Sequence, residues 1–232
     1  MFRRLIQGLS QRLPSQCLVC QRWPTFALCH DCVAHFGQPQ HRCTRCALAL
    51  PESVAVCGTC LLHPPPLDAC LCAVDYAYPW NDLVADLKFR NESSRALVLA
   101  RLLRAAHGVE AALDSADALI ALPLAPQRLR ERGYNQALEL ARALDARKVD
   151  TTVLLRTQDG PPQHSLARAQ RLRAMRQAFV VDPLHRSRVQ GRRLLLVDDV
   201  MTTGASLHAA AHALREAGAA QVCGLVFART PA

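Results

Sequence analysis

The sequence predicts an α/β fold, an open and mainly parallel sheet, behind a small N-terminal module organised by cysteine. Three observations predict it. From Ala69 onward, short apolar runs alternate with helical patterns. Leu194 to Val197 is continuously apolar, which reads as a strand covered on both faces. Between Cys17 and Cys60, eight of the chain's 11 cysteines fall into four C-x-x-C pairs.

The chain has 232 residues, 50% of them hydrophobic, which is enough for one full α/β domain plus a small module. The formal net charge is +9, and only Lys88 and Lys148 are lysines. Such a balance favours anionic partners: phosphate esters, nucleic acid or an anionic membrane surface. Arginine adds bidentate phosphate contacts. Ala and Leu are abundant too, so a compositional bias of the genome accounts for the larger part of the Arg excess. No segment has the apolar length to span a bilayer. Met1 to Leu13 carries Arg3, Arg4 and Arg12 around a short apolar run, without a signal-peptide core or cleavage site, and reads as a short amphipathic helix. The expected compartment is the cytoplasm.

The cysteine pairs are Cys17/Cys20, Cys29/Cys32, Cys43/Cys46 and Cys57/Cys60. One C-x-x-C turn presents two thiolates to one ion, and two turns complete a tetrahedral zinc site. Four pairs make two closed, structural Zn²⁺ sites. A disulfide framework would need an oxidising compartment. The pairing can be sequential or interleaved; the sequential one closes the shorter loops and matches a double zinc ribbon. A segment this short cannot bury a large core, so metal would supply its folding energy. Arg22, Trp23, Arg42 and Arg45 are its basic and stacking candidates for nucleic acid. Cys70, Cys72 and Cys223 are left over, and Cys72 and Cys223 read as small buried hydrophobes. His63-Pro64-Pro65-Pro66 is a stiff spacer. The expected division is an N-terminal segment over 1–16, the double ribbon over 17–66 and the α/β domain over 67–232.

In the larger domain, Ala69 to Tyr78 reads as a strand closed by Pro79, and Trp80 to Phe89 as a helix ending in Lys88-Phe89-Arg90. Arg95 to Leu113 reads as one long amphipathic helix. Ala118 to Leu122 is a strand that runs into the rigid loop Pro123-Leu124-Ala125-Pro126. Arg128, Arg130 and Arg132 follow and form an anion-binding candidate, before a helix over Ala137 to Ala146. Thr151 to Arg156 reads as a strand. The polar, Arg-rich stretch from Thr157 to Ala178 reads as a lid, and Phe179 to Val181 resumes apolar character. Ala219 to Phe227 is the last strand. His208 and His212 read as a solvated helix face.

The central strand is followed by Asp198 and Asp199, then by Val200-Met201-Thr202-Thr203-Gly204-Ala205-Ser206 and a helical pattern. Ligands of open α/β sheets bind beyond the carboxyl ends of the strands. A loop entering a helix N-terminus offers free N–H groups and a positive dipole end to a phosphate. Thr202, Thr203 and Ser206 add hydroxyls, and Gly204 allows close approach. The carboxylates would repel a phosphate and suit neighbouring hydroxyls or a divalent cation. From the residues alone, the ligand is a phosphorylated polyol. An Asp-Asp pair by itself reads as opening a turn before a Thr-capped helix, and it is the whole pattern from Leu194 to Ser206 that favours the ligand. A Walker B strand is excluded, because no G-x-x-x-x-G-K-[ST] loop lies upstream.

This stretch resembles the phosphoribosyl pyrophosphate (PRPP) motif of the type I phosphoribosyltransferases. The whole assembly resembles the ComF, or GntX, family. The resemblance takes in the four C-x-x-C pairs, Leu87-Lys88-Phe89, Leu122-Pro123-Leu124, and the run Arg128-Leu129-Arg130-Glu131-Arg132-Gly133-Tyr134-Asn135-Gln136. It continues through Pro162-Gln163, Leu166, Arg168, Arg171, Ala178-Phe179 and Leu195 to Gly204. One departure is Ala174, where the family usually has Asn. The resemblance implies a type I phosphoribosyltransferase-like sheet in which Thr202, Thr203, Gly204 and Ser206 hold the ribose 5-phosphate. Asp198 and Asp199, the implied catalytic pair, hold the ribose hydroxyls beside Mg²⁺. Pro123, Leu124, Arg128, Arg130, Arg132 and Lys88 would face the pyrophosphate. The implied activity is phosphoribosyl transfer linked to competence and DNA uptake, with single-stranded DNA or competence proteins as partners. The alternatives are a PRPP or nucleotide sensor without turnover and a DNA-handling protein.

Overall fold

The computed structural model describes residues 15–89, 93–157 and 178–231. The expected N-terminal helix and most of the expected lid, including Ala174, lie outside these residues. The chain divides into two compact units, Met1–Gln38 and Pro39–Ala232.

In the first unit, a knuckle forms where the Cys17 N–H donates to the Arg22 carbonyl (3.0 Å) and the Gln21 N–H donates to the Cys17 carbonyl (2.9 Å). Gln21, just after Cys20, takes a positive φ of 61°. Helix α1 (His30–Phe36) starts at Cys29, whose side chain accepts the Cys32 N–H. The buried centre is Cys17, Cys29 and Cys32, with Val19 and Phe36 packed against it. Thiols rather than large side chains therefore fill the middle, as expected where metal supplies the folding energy.

The second unit opens with the same device. Cys43 N–H donates to Leu48 O and Ala47 N–H to Cys43 O, both at 2.8 Å. Ala47, just after Cys46, has φ 57°. Helix α2 (Gly58–Leu62) starts at Cys57. The thiols group sequentially, Cys17, Cys20, Cys29, Cys32 and Cys43, Cys46, Cys57, Cys60, with the sulfurs of each group within 4.8 Å of one another. Cys20 and Cys29 sulfurs stand 3.7 Å apart, as do those of Cys46 and Cys57. A tetrahedral zinc with Zn–S bonds of about 2.3 Å needs sulfurs about 3.8 Å apart, so both groups fit the ion. Burial opposes the Cys17 thiolate, but the backbone N–H groups of Cys20, Cys29 and Val19 outweigh it and bring the pKa down to about 6. Cys43 comes down to about 7 in the same way, against burial, through the N–H groups of Cys57, Arg45 and Cys46.

Arg42 and Arg45, read above as nucleic-acid candidates, are engaged inside this unit. Arg42 forms an ion pair with Asp75 at 2.8 Å, the two side chains 10% and 24% exposed. Arg45 donates to the Leu67 carbonyl at 3.0 Å. In the first unit, Arg22 pairs with Asp31, and Trp23 stays exposed.

The sheet has the order β1 (Ala69–Asp75), β6 (Gln221–Arg229), β5 (Arg193–Met201), β2 (Ala118–Ala121), and every pairing is parallel. Val149 forms one further parallel bridge beside Leu119. Leu194 to Val197 are at most 2% exposed and β2 is buried throughout, so both faces are covered. Trp80 and Phe227 meet edge to face in the core, with centroids 6.3 Å apart.

Several elements differ from the sequence reading. The expected helix over Arg95 to Leu113 is two, α4 (Arg95–Ala105) and α5 (Val109–Ser115), following α3 (Trp80–Phe89). The break is Gly108, left-handed at φ 77°, which the continuing apolar periodicity hides. Thr151 to Arg156 contributes only β3 (Leu154–Arg156), antiparallel to β4 (Phe179–Val181) and outside the main sheet. Helix α6 (Pro126–Arg132) carries the Arg cluster, and α7 (Gln136–Asp145) packs on α4 and the sheet. Helix α8 (Ala205–Glu216) packs on β5 and β6, with β4 beside it.

Candidate functional site

The site begins where β2 stops. The Leu122 N–H gives its last bond to the Val197 carbonyl at 2.9 Å. β5 runs on to Met201, paired with β6 through Val200↔Ala228 and Met201↔Arg229. Asp198 and Asp199 are therefore strand residues rather than residues that follow the strand. Asp198 accepts the Asp199 N–H at 2.9 Å, and Asp199 accepts the Val200 N–H at 2.7 Å.

Asp199 is 3% exposed, and its Oδ2 lies 3.2 Å from Lys88 Nζ. Lys88, from the last turn of α3, also stands 6.0 Å from the centre of the Tyr76 ring. Asp198 keeps a partly exposed edge. Its pKa is raised well above the ordinary carboxylate value, first by burial and then by the charge of Asp199; the Asp199 N–H and Lys88 work the other way.

The loop after the acids turns on Gly204, left-handed at φ 81° and the first cap of α8. A Cβ there would stand 2.4 Å from Met201 Cε and 2.9 Å from His208 Nε2. A side chain there would strain the left-handed backbone and require Met201 Cε and the His208 ring to shift. Thr202, Thr203 and Ser206 are exposed beside it, and Thr203 Oγ1 accepts the Ala205 N–H at 3.4 Å. The loop thus presents hydroxyls and the first turn of α8 to one side of the strand end.

His208 is not on a solvated face. It is half-buried, its Nε2 enclosed without a hydrogen-bond partner, and burial first, then His212 and Arg229, hold its pKa down. An i to i+4 pattern alone does not show which side of a helix meets the sheet. The Arg cluster spreads out as well. Helical spacing sets Arg128 and Arg132 on one side of α6 and Arg130 on another. Arg128 and Arg130 are exposed, while Arg132 lies over the Phe89 ring at 5.1 Å. Pro123 and Leu124 are half-buried in the loop before α6.

Two residues outside the expected site set brace the loop's start and the end of α3. Asn135 caps α7 by accepting from the Ala137 and Leu138 N–H groups, and its Nδ2 donates to the Leu122 carbonyl at 3.0 Å. Tyr134 Oη donates to the Leu87 carbonyl, one residue before Lys88. Asn just before an apolar helical run is a readable capping signal; the link to Leu122 is visible only in three dimensions.

Strand-end acids, a glycine-pinched hydroxyl loop and a parallel sheet define a phosphoribosyltransferase-type domain, and the phosphoribosyl transferase domain family matches residues 129–232. DNA utilization protein YhgH of Escherichia coli O6:H1 is 34% identical over 221 residues, 90% of this chain and 95% of that one. The chain belongs to the ComF family. Competence protein F of Haemophilus influenzae is 31% identical over 78% of this chain and 81% of its own. Competence protein ComFC of Bacillus subtilis is 28% identical over 85% and 81%. A solved structure titled as the allosteric regulatory enzyme of purine biosynthesis overlaps 58% of this chain and 25% of its own at TM-score 0.39 and 21% identity, too partial to argue from. No helix among the described residues is long and apolar enough to cross a membrane.

Proposed function

We propose that this protein binds PRPP and reacts at its anomeric carbon. The observation that carries this reading is the acid pair at the end of β5, followed at once by the exposed hydroxyls around Gly204. Thr202, Thr203, Ser206 and the free N–H groups of the first turn of α8 hold the 5-phosphate. Asp198 and Asp199 hold the ribose hydroxyls. Burial first and the charge of Asp199 second disfavour the Asp198 carboxylate, and a bound dication would favour it again, so the pair fits Mg²⁺. Bound there, Mg²⁺ would neutralise charge on the pyrophosphate oxygens. Pro123, Leu124 and the α6 arginines form the pyrophosphate side. Lys88 lies on that side already paired with Asp199, and it can exchange this partner for a phosphate oxygen. The same residues serve a sensor without turnover, and release of pyrophosphate separates the two.

The names of the relatives favour a place for this chemistry in competence and the use of DNA, with single-stranded DNA or competence proteins as partners. Eight thiols in two groups of four accord with a reducing compartment such as the cytoplasm.

The test is calorimetry with PRPP and Mg²⁺ on the wild type and on Asp198→Asn/Asp199→Asn. Asn keeps size and turn chemistry while removing both charges. The double variant should fold and bind at least about tenfold more weakly, roughly 1.4 kcal/mol. Unchanged affinity, or no heat with the wild type, overturns the proposal.

A further inference from the structure

One side chain joins the second cysteine knuckle to the hydroxyl loop. Arg229 ends β6 and is half-buried. Its Nε donates to the Cys46 carbonyl at 3.0 Å. Its Nη1 faces the carbonyls of Met201 at 3.1 Å and Thr230 at 2.7 Å, and that of Thr202 as well. Cys46 belongs to the Cys43, Cys46, Cys57, Cys60 group. Met201 and Thr202 lead straight to Gly204. A single planar guanidinium therefore reaches from a metal knuckle to the entrance of the loop. The fixed fork of Arg suits this, because its donors face different directions at once; the point charge of Lys serves one side only.

A second contact runs beside it. Cys70 N–H donates to the Thr44 carbonyl, inside the same knuckle, at 2.9 Å. Cys70 Sγ lies 3.8 Å from Met201 Sδ, and Met201 Cε is the atom that crowds Gly204. The polar link through Arg229 sets the carbonyls of the loop entrance, and the sulfur contact only fills space.

We infer that Arg229 is a positioning residue that fixes the 202–204 loop relative to the Cys43, Cys46, Cys57, Cys60 cluster. Metal in that cluster holds the Cys46 carbonyl still, the guanidinium holds the loop carbonyls, and the loop stands preorganised. Loss of metal there loosens the loop without touching any residue that meets the ligand. What the loop binds rests on the PRPP reading above; the coupling itself does not.

Hydrogen exchange at the amides of residues 202–206 reads the coupling in the full-length, zinc-loaded chain. Arg229→Lys should keep two zinc ions and speed this exchange by at least about tenfold, the loss of one hydrogen bond from a charged donor. Cys60→Ser, which empties the second cluster, should do the same, and Cys20→Ser, in the first, should not. Combined with Arg229→Lys, Cys60→Ser should add nothing, since the two act through one link. Wild-type exchange in Arg229→Lys overturns the inference, and so does equal loosening by Cys20→Ser and Cys60→Ser. If Cys60→Ser does not fold, Arg229→Lys decides alone. PRPP titrations on the same proteins should show weaker binding wherever exchange is faster. A wild type that binds no PRPP overturns the proposed function, while exchange still decides the coupling.

Discussion

Gly204→Ala tests whether the loop is built on a close approach or merely on a turn. Alanine in the left-handed region costs about 1–2 kcal/mol, and its stiffer unfolded chain offsets about 0.4–1 kcal/mol of that. Gly133 isolates this backbone part: its φ is 75°, and nothing lies within 4 Å of its missing Cβ. Gly133→Ala should therefore lose about 0.5–1 kcal/mol. At Gly204 the new methyl would meet Met201 Cε at 2.4 Å and the His208 ring at 2.9–3.0 Å. Met201 is 2% exposed and cannot swing freely into solvent. Overpacking adds about 1–3 kcal/mol, for a total loss of about 2–4 kcal/mol. In a unit of this size each kcal/mol lowers the melting midpoint by about 2–4 °C, so Gly204→Ala should fall by about 5–15 °C and Gly133→Ala by about 1–4 °C. Calorimetric melting of both variants under one buffer makes the comparison. Midpoints within about 2 °C of each other would show that Met201 and His208 yield, and the close-approach argument would fail.

The remaining predictions concern charge and metal. Because the folded pKa of Asp198 is raised, the folded chain holds a proton that the unfolded chain gives up above about pH 4, so this group lowers stability as pH rises until Asp198 itself ionises. The gain in melting midpoint of Asp198→Asn over wild type should therefore grow from pH 4 upward; a flat difference between pH 4 and 8 removes the argument. Lys88→Met leaves the carboxylate of Asp199 buried without its cation, at a cost of about 3–5 kcal/mol by denaturant unfolding. Adding Asp199→Asn should restore most of that loss, and no restoration would mean that Lys88 acts through packing. Elemental analysis of reduced protein should find one zinc for each of the two four-cysteine groups. Chelation should unfold residues 17–38 and loosen 39–63 while the far-ultraviolet signal of the sheet largely survives; loss of the whole signal in one step would contradict this.

What the sequence makes legible is what local pattern decides. The C-x-x-C pairs announce two knuckles, because two thiolates on one tight turn have few other uses. Leu194 to Val197 announces a central strand. The strand's true end is hidden, because Asp is a poor strand former; only the partners Ala228 and Arg229 on β6 carry it on to Met201. Gly108 breaks a helix whose apolar spacing runs on unbroken. At the site, the residue types near Gly204 are readable from chemistry. The Lys88–Asp199 pair joins distant segments and depends on how α3 ends over the sheet. The arginines were the poorest guide. Arg42 and Arg45 look like solvent-facing cations by sequence, yet they bind Asp75 and a backbone carbonyl.

The unequal lengths of β2 and β5 have a consequence for association. Val197 turns its carbonyl towards β2, so Asp199, two residues on, turns its N–H the same way after β2 has gone. An unpaired strand end of this kind is a template for a foreign strand. Here the Asp198 side chain already accepts from that N–H. The N–H that outruns β2 is therefore satisfied within its own strand and offers a foreign strand nothing to pair with.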